Sequence, residues 1–208
     1  PGTRVITSRA GDVHERVGPE PAIVVATPGA EPVAEGGYAA VLLLDAWASL
    51  DRPDLRAAEE ALRRWLGAAA LCRPWTDSGT VVLCGAPTHV TIPPVEALVR
   101  WDPWWFAGRE LAERAELSLP PTTWTAEVVA HRKRVEAVEH AARGVVPDVE
   151  VLGPLPVTGA EERRRIVLKA PFADGPLVAT ALKDLRAGES ARKEPELTSV
   201  TVGHLGAL

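Results

Sequence analysis

The sequence predicts an α/β chain in two parts: a parallel sheet with helices over residues 1–119, then a small α+β domain over residues 120–208. Three observations predict it. The runs AIVVAT (22–27) and AVLLLDA (40–46) are continuously apolar and bounded by turn residues, the pattern of strands buried on both faces of a parallel sheet. A long amphipathic helix follows the second run. Beyond LPP at 119–121, a natural boundary, the apolar residues alternate instead, as they do in half-buried strands.

The elements follow in order. RVITSR (4–9) is a short strand, and TPGAEPVAEGGY between the two apolar runs is a loop with Gly36 and Gly37 at its turns. In DRPDLRAAEEALRRWLGAAAL, Asp51 is the expected cap and Pro53 lies in the first turn, with Leu55, Ala58, Leu62, Leu66 and Ala69 on one stripe. Glu59 and Arg63, and Glu60 and Arg64, stand at i,i+4 in the favourable order. TVVLCG is a third buried strand. Two helices come next, broken at Asp102–Pro103, where Trp101, Trp104, Trp105 and Phe106 gather; a packed junction between domains is expected there rather than a ligand stack. The second part begins with a strand at WTAEVVA and a helix near 132–143. It continues with a strand VEVLG, an arginine-rich turn, a strand RIVLKA, a helix from Asp174 with Leu177, Ala181 and Leu185 on its apolar side, and a last strand LTSVTV.

Composition removes several classes. No apolar run reaches the ~18 residues needed to span a bilayer, and the opening PGTRVITSRAGD has no basic region leading into an apolar one, so the expected compartment is the cytoplasm. Starting at Pro1 and holding no Met, the sequence reads as a piece of a longer protein. Cys72 and Cys84 are too few for a disulfide framework and are expected as buried thiols. His14, His89, His131, His140 and His204 are scattered without metal-ligand spacing, so no metal site is expected. Neither GxxxxGK[ST] nor GxGxxG occurs, and TDSG at 76–79 sits in a turn with no histidine placed to activate Ser78, so no catalytic residue is assigned.

Charge is uneven. Residues 1–120 hold eleven Arg and no Lys against sixteen acidic residues, so the whole net charge of -5 resides there and residues 121–208 are neutral. The second half nevertheless holds compact basic clusters: Arg132, Lys133 and Arg134; Arg163, Arg164 and Arg165 with Lys169; and Arg192 with Lys193. Such clusters can displace counterions from a nucleic-acid backbone. The competing reading is a solvated face in which Glu136, Glu161, Glu162 and Glu194 neutralise them.

At this point the residues resemble the PriA family of bacterial replication-restart proteins, specifically its C-terminal third. The family's second helicase lobe runs strand, loop, strand ending in LDxD, then DFRxxE, a helix, the arginine motif QxxGRxGR and a strand. The same order is found here in VVATPGAEPVAEGGYAAVLLLDAW, DLRAAEEALRRW, LGAAALCRP and TVVL, with Asp45, Asp54, Arg56 and Glu59 on the family's charged landmarks. AGRELAERAELSLPP is a further family phrase, and VLGP (151–154) and ARKEP (191–195) anchor the last third. The departures carry weight. Gly67 stands at the motif's glutamine, Leu71 and Pro74 at its two arginines, and Trp47 at the second aspartate of LDxD, while ATP (26–28) replaces a polar loop start. In a working helicase those arginines reach the triphosphate, where such groups are worth roughly 10³ to 10⁵ in rate.

The resemblance therefore implies a partial, degenerate RecA-like lobe over 1–119 and a PriA-type domain over 120–208. It implies binding of forked or single-stranded DNA in replication restart, with single-stranded-DNA-binding protein and other primosome proteins as partners and no unwinding activity of its own. The nine basic residues named above are the expected DNA contacts. No cofactor is expected in this stretch, since the family's ATP and zinc belong to upstream segments. Alternatives stay open: an active ATP-dependent helicase in which Arg73 replaces the missing arginines, a protein-interaction scaffold that never touches DNA, or a small-molecule domain with an apolar pocket lined by the tryptophans.

Overall fold

A computed structural model describes residues 2–87 and 91–203; His89 and His204 lie outside these residues. The chain divides into two compact units, Pro1–Ala107 and Gly108–Leu208.

In the first unit, β1 (Arg4–Ser8) pairs in parallel with β3 (Ala22–Ala26), and the short β2 (Arg16–Val17) with β4 (Val33–Ala34). β5 (Ala40–Leu43) pairs in parallel with β6 (Thr80–Leu83). The predicted strands and their parallel sense are present, but as separate two-stranded sheets and not as one sheet covered on both sides. Val5, Ile23 and Val25 are exposed on the first pair, as are Leu42, Leu44 and Val82 on the second. Only the opposite face of β5–β6 is packed: Leu43, with Val41 and Leu83, meets a core of Ala61, Leu62, Trp65, Ala97, Leu98 and Phe106. That core comes from helices on one side only: α1 (Ala46–Leu50), α2 (Ala57–Ala69), α3 (Pro93–Arg100) and the first turns of α4 (Pro103–Glu116).

Helix α2 corrects two expectations. It starts at Ala57, after a turn in which Asp54 Oδ1 accepts the Arg56 N–H at 2.9 Å, whereas Asp51 ends α1. Its buried stripe is Ala57, Ala61, Leu62, Trp65 and Ala69; Leu62 and Ala69 are as predicted and Ala58 and Leu66 pack partly buried against the same core, but Leu55 is exposed and Trp65 is buried. Burying the Trp65 indole contributes about 2–3 kcal/mol to this face. Glu60 takes both arginines, Arg63 at 2.7 Å and Arg64 at 2.8 Å. The Arg63 hydrogen bond, with Arg64 assisting, pulls the Glu60 carboxyl down to about 2. Cys72 and Cys84 are free and half-buried, where buried thiols were expected; Cys72 donates weakly to the carbonyls of Tyr38 and Thr80.

The α3–α4 break falls where the sequence placed it. Asp102 Oδ1 accepts the Trp105 N–H at 2.9 Å, capping α4 with Pro103 in its first position. The aromatic cluster does not pack as a whole: Phe106 is buried and Trp105 half-buried, while Trp101 and Trp104 point into solvent.

The second unit is a four-stranded antiparallel sheet in the order β10-β7-β9-β8, from β7 (Trp124–His131), β8 (Glu150–Val157), β9 (Ala160–Ala170) and β10 (Ser199–Val202). Trp124, Ala126, Val128, Ala130, Ile166, Leu168 and Ala170 face α5 (Val135–Val145) and α6 (Gly175–Ala191), which supply Val135, Val138, Ala142, Val178 and Leu182. In α6 Val178 and Leu182 are buried and the predicted Leu185 packs partly buried against the same core, whereas the predicted Leu177 is exposed. The expected arginine-rich turn is not a turn. Arg163, Arg164 and Arg165 lie inside β9, and the chain reverses earlier, at Thr158–Gly159. Their side chains alternate across the sheet, so charge on this strand does not interrupt pairing.

Candidate nucleic-acid interface

The predicted basic residues were scattered over sixty positions, and the fold gathers most of them at one end of the second unit. β7 runs into a 3-10 turn, Arg132–Arg134, that opens α5. Antiparallel register sets His131 opposite Arg163, which brings the start of β9 beside that turn. The segment after α6 then returns past it, since Arg134 bonds Glu194 and the carbonyl of Glu196. Arg132, Lys133, Arg134, Arg163, Arg192 and Lys193 thus converge. Lys169 does not; it lies six residues along β9 from Arg163, pairing with Glu150 at 3.0 Å. Residues alternate across a strand, so Arg163, Arg165 and Lys169 share the face of Thr125, Glu127 and Val129, whereas Arg164, opposite Ala130, belongs to the other.

Carboxylates converge on the same end. Arg132 Nε meets Glu162 Oε2 at 2.5 Å, with His131 Nε2 at 3.5 Å from the same oxygen. Arg134 is mostly buried, with Nη2 at 2.6 Å from Glu194 and Nη1 at 3.5 Å from the buried Glu189. Arg163 donates to the carbonyls of Val129 and Leu197 at 3.2 and 3.3 Å, tying β9 to the returning segment. Arg164 donates to the carbonyls of Glu161 and Arg163. Arg165 lies 3.4 Å from Glu127, and Arg192 3.4 Å from Glu194. Among the described residues, the ammonium groups of Lys133 and Lys193 alone of the nine have no such partner, and both are exposed.

This division decides what each cation can do. The exposed Arg132–Glu162 pair is worth about 0–1 kcal/mol, so a phosphate can replace the carboxylate; Arg192 is exposed too, but its partner Glu194 is half-buried and also holds Arg134. Arg134, desolvated among three acceptors, holds the structure. The groove of 420 Å³ between α5 and α6 is lined by Arg134 and Arg192 but also by Asp184, Glu189 and Glu194, and by no tryptophan. Its charge does not suit an anion. Sequence reasoning missed Glu189, a buried carboxylate in the last turn of α6; its partner Thr198 is only nine residues on, but the turn between them was not legible.

The first unit's landmarks are equally definite. Leu71 and Pro74 offer no guanidinium. Arg73 donates through Nε to the carbonyls of Gly36 and Gly37, both at 3.1 Å, which fastens it to the preceding loop. No group of three or more His, Cys, Asp or Glu among the described residues is placed to hold a metal ion. No helix among them is long and apolar enough to cross a membrane.

The family model described as Primosomal protein N C-terminal domain matches residues 115–203, a span that takes in the whole four-stranded sheet and both of its helices. These residues carry the primosomal protein N C-terminal domain. The similarity extends beyond it. The chain is 44% identical over 189 residues, 89% of its length, to the Probable replication restart protein PriA of Mycobacterium tuberculosis (strain CDC 1551 / Oshkosh), covering 28% of that protein. It is 41% identical over 218 aligned positions, 99% of its length, to the protein of the same description from Mycobacterium leprae (strain TN), covering 33% of it. The chain thus corresponds to a C-terminal PriA-like portion and spans about a third of the length of these relatives.

Proposed function

We propose that this chain is a DNA-binding part of the replication-restart machinery, recognising forked or single-stranded DNA without unwinding it. The observation that carries the reading is the convergence of Arg132, Lys133, Arg192 and Lys193 at one end of the C-terminal domain. There two lysines are unpaired, Arg132 is held only by the exposed Glu162, and the exposed Arg192 has a single 3.4 Å contact to Glu194. Arg163, Arg164, Arg165 and Lys169 act as supports or secondary contacts, since each is already engaged within the sheet. The relatives' name supports the setting, and single-stranded-DNA-binding protein and other primosome proteins are the partners to be sought, in the cytoplasm. Loss of unwinding is supported by Leu71 and Pro74 at the arginine positions and by the tethering of Arg73 to Gly36 and Gly37. Any ATP or zinc chemistry would belong to segments outside these residues.

The test is a titration of a labelled forked oligonucleotide with the chain at 50 and 200 mM salt. Neutralising a few phosphates makes affinity fall with salt at a slope near 0.9 per contact. Lys133→Glu with Lys193→Glu is expected to weaken binding and flatten that slope. The number of internally paired arginines favours a second reading, a protein-interaction scaffold, which requires fork binding to be absent or indifferent to both changes.

A further inference from the structure

The turn between α3 and α4 displays large apolar side chains that the domain's own core does not use. Val99, Trp101 and Trp104 are 80%, 55% and 85% exposed, while the adjacent Trp105 and Phe106 pack inward. Trp101 is also held in a costly backbone conformation. Its N–H bonds the Leu98 carbonyl and the Asp102 N–H bonds that of Ala97, the closing pattern of a helix whose left-handed residue is ordinarily glycine. Trp101 sits there with φ 54° and ψ 40°. A bulky residue in that region is an outlier, and such outliers gather at functional positions.

We propose that Trp101 and Trp104 form a stacking platform for unpaired bases of single-stranded DNA, an inference that rests on the DNA-binding reading above. Size argues for a base rather than a protein. Aromatic side chains bury roughly 150–250 Å² each, so this tip offers on the order of 300–400 Å², well below the ~800 Å² per partner of a standard protein interface. One or two bases need no more than that. Stacking on indole is independent of base identity, because every base has a π-face. A cation adjoining the tip suits the same ligand. Arg100, itself exposed, lies over the Trp105 ring, 5.5 Å from its centroid, and pairs with the half-buried Glu96 one turn back, a contact that a phosphate between stacked bases can exchange for. Duplex DNA presents no free base faces except at a fork or an end, so the platform would favour the unpaired arm of a fork.

The experiment measures binding of a fluorescein-labelled oligo-dT, and of an abasic strand of equal length, by anisotropy, using the chain and its variants Trp104→Ala, Trp104→Phe and Trp101→Gly. Stacking losses of about 1–3 kcal/mol per base correspond to a roughly 5- to 150-fold weakening. Trp104→Ala and Trp101→Gly are expected to weaken oligo-dT binding within that range and Trp104→Phe much less. The abasic strand should bind wild type and Trp104→Ala alike. Trp101→Gly should at the same time raise the urea midpoint, because glycine accepts the left-handed conformation freely, so its lost affinity cannot come from a damaged fold. Unchanged affinity in Trp104→Ala and Trp101→Gly, with wild type still binding the fork in a salt-dependent way, overturns the platform and leaves the DNA-binding reading standing. No binding of any strand by wild type removes both.

Discussion

Both carboxylate oxygens of Glu189 are taken by a single residue, Thr198: Oε2 accepts the backbone N–H and Oε1 the hydroxyl, each at 2.7 Å. Both residues are fully buried, and Arg134 lies 3.5 Å from the same carboxylate. The contact fixes the path from α6 to edge strand β10 and, through Arg134, holds the returning segment beside the basic turn. Removing the carboxylate strands the buried Thr198 N–H and hydroxyl and takes a charge from beside Arg134, which keeps Glu194 and the Glu196 carbonyl. Glu189→Ala is expected to destabilise the C-terminal domain by about 2–4 kcal/mol, and Thr198→Val, which removes only the hydroxyl, by about 1–2 kcal/mol. Urea unfolding followed by far-UV circular dichroism measures both. Equal stability of Glu189→Ala and wild type would show that the lock carries no weight.

What the sequence disclosed and withheld has a physical pattern. Apolar runs and caps located the parallel strands, the α3–α4 break at Asp102 and the alternating strand β7, because these signals are local. The buried faces of α2 and α6 were located only in part, since stripes rich in alanine and leucine fit neighbouring rotations: Leu62, Ala69 and Leu185 pack as expected, Leu55 and Leu177 are exposed, and Trp65, Val178 and Leu182 carry much of the burial. The basic clusters were visible as composition. Their convergence was not, because it depends on the pairing of His131 with Arg163 and on the return held by Glu189. Their neutralisation was visible only in part: Glu162 and Glu194 were named, but Glu127 and Glu150 pair across strands whose register no single sequence supplies.

Arg73 and Gly79 bear on the helicase alternative. Arg73 spans to Gly36 and Gly37, and a Cβ added at Gly79 would lie 1.9 Å from the Arg73 carbonyl oxygen, so the loop is closed by backbone against backbone. Arg73→Ala is expected to cost about 0.5–1.5 kcal/mol of stability and to leave any DNA-stimulated ATP hydrolysis of the protein containing this chain unchanged. Gly79→Ala, which forces the loop open, should cost more than Arg73→Ala. A fall in hydrolysis of 10³-fold or more with Arg73→Ala, the scale of a lost catalytic arginine, would give Arg73 the catalytic part.

Glu60 supplies an acid-sensitive element in the first unit. Its carboxyl falls from the ordinary 4.5 to about 2, chiefly through the hydrogen bond from Arg63. A folded value below the unfolded one means a contribution that is complete above pH 4.5 and is lost as pH falls toward 2. Glu60→Gln should remove that part of the acid limb, which circular dichroism at 222 nm between pH 5 and 2 would record as a flatter profile for the variant. Identical acid limbs would mean that the paired geometry does not persist in solution.

Arg132 and Arg134 sit two residues apart and are expected to behave oppositely. Arg132 is exposed and held by Glu162, so Arg132→Ala should change stability by no more than about 1 kcal/mol yet lower the salt slope of fork binding by about 1. Arg134 is largely buried against Glu189, Glu194 and the Glu196 carbonyl, and Arg134→Ala should cost about 3–5 kcal/mol because it leaves a buried carboxylate uncompensated. Any effect of Arg134→Ala on DNA affinity should then disappear under conditions that keep the domain folded. Glu162→Gln completes the set. It frees Arg132 and removes a charge that repels phosphate, so fork affinity should rise and the salt dependence steepen. If Glu162→Gln weakens binding instead, the carboxylate is orienting Arg132 toward the DNA rather than competing with it, and the convergent end works as an aligned array instead of a set of exchangeable cations.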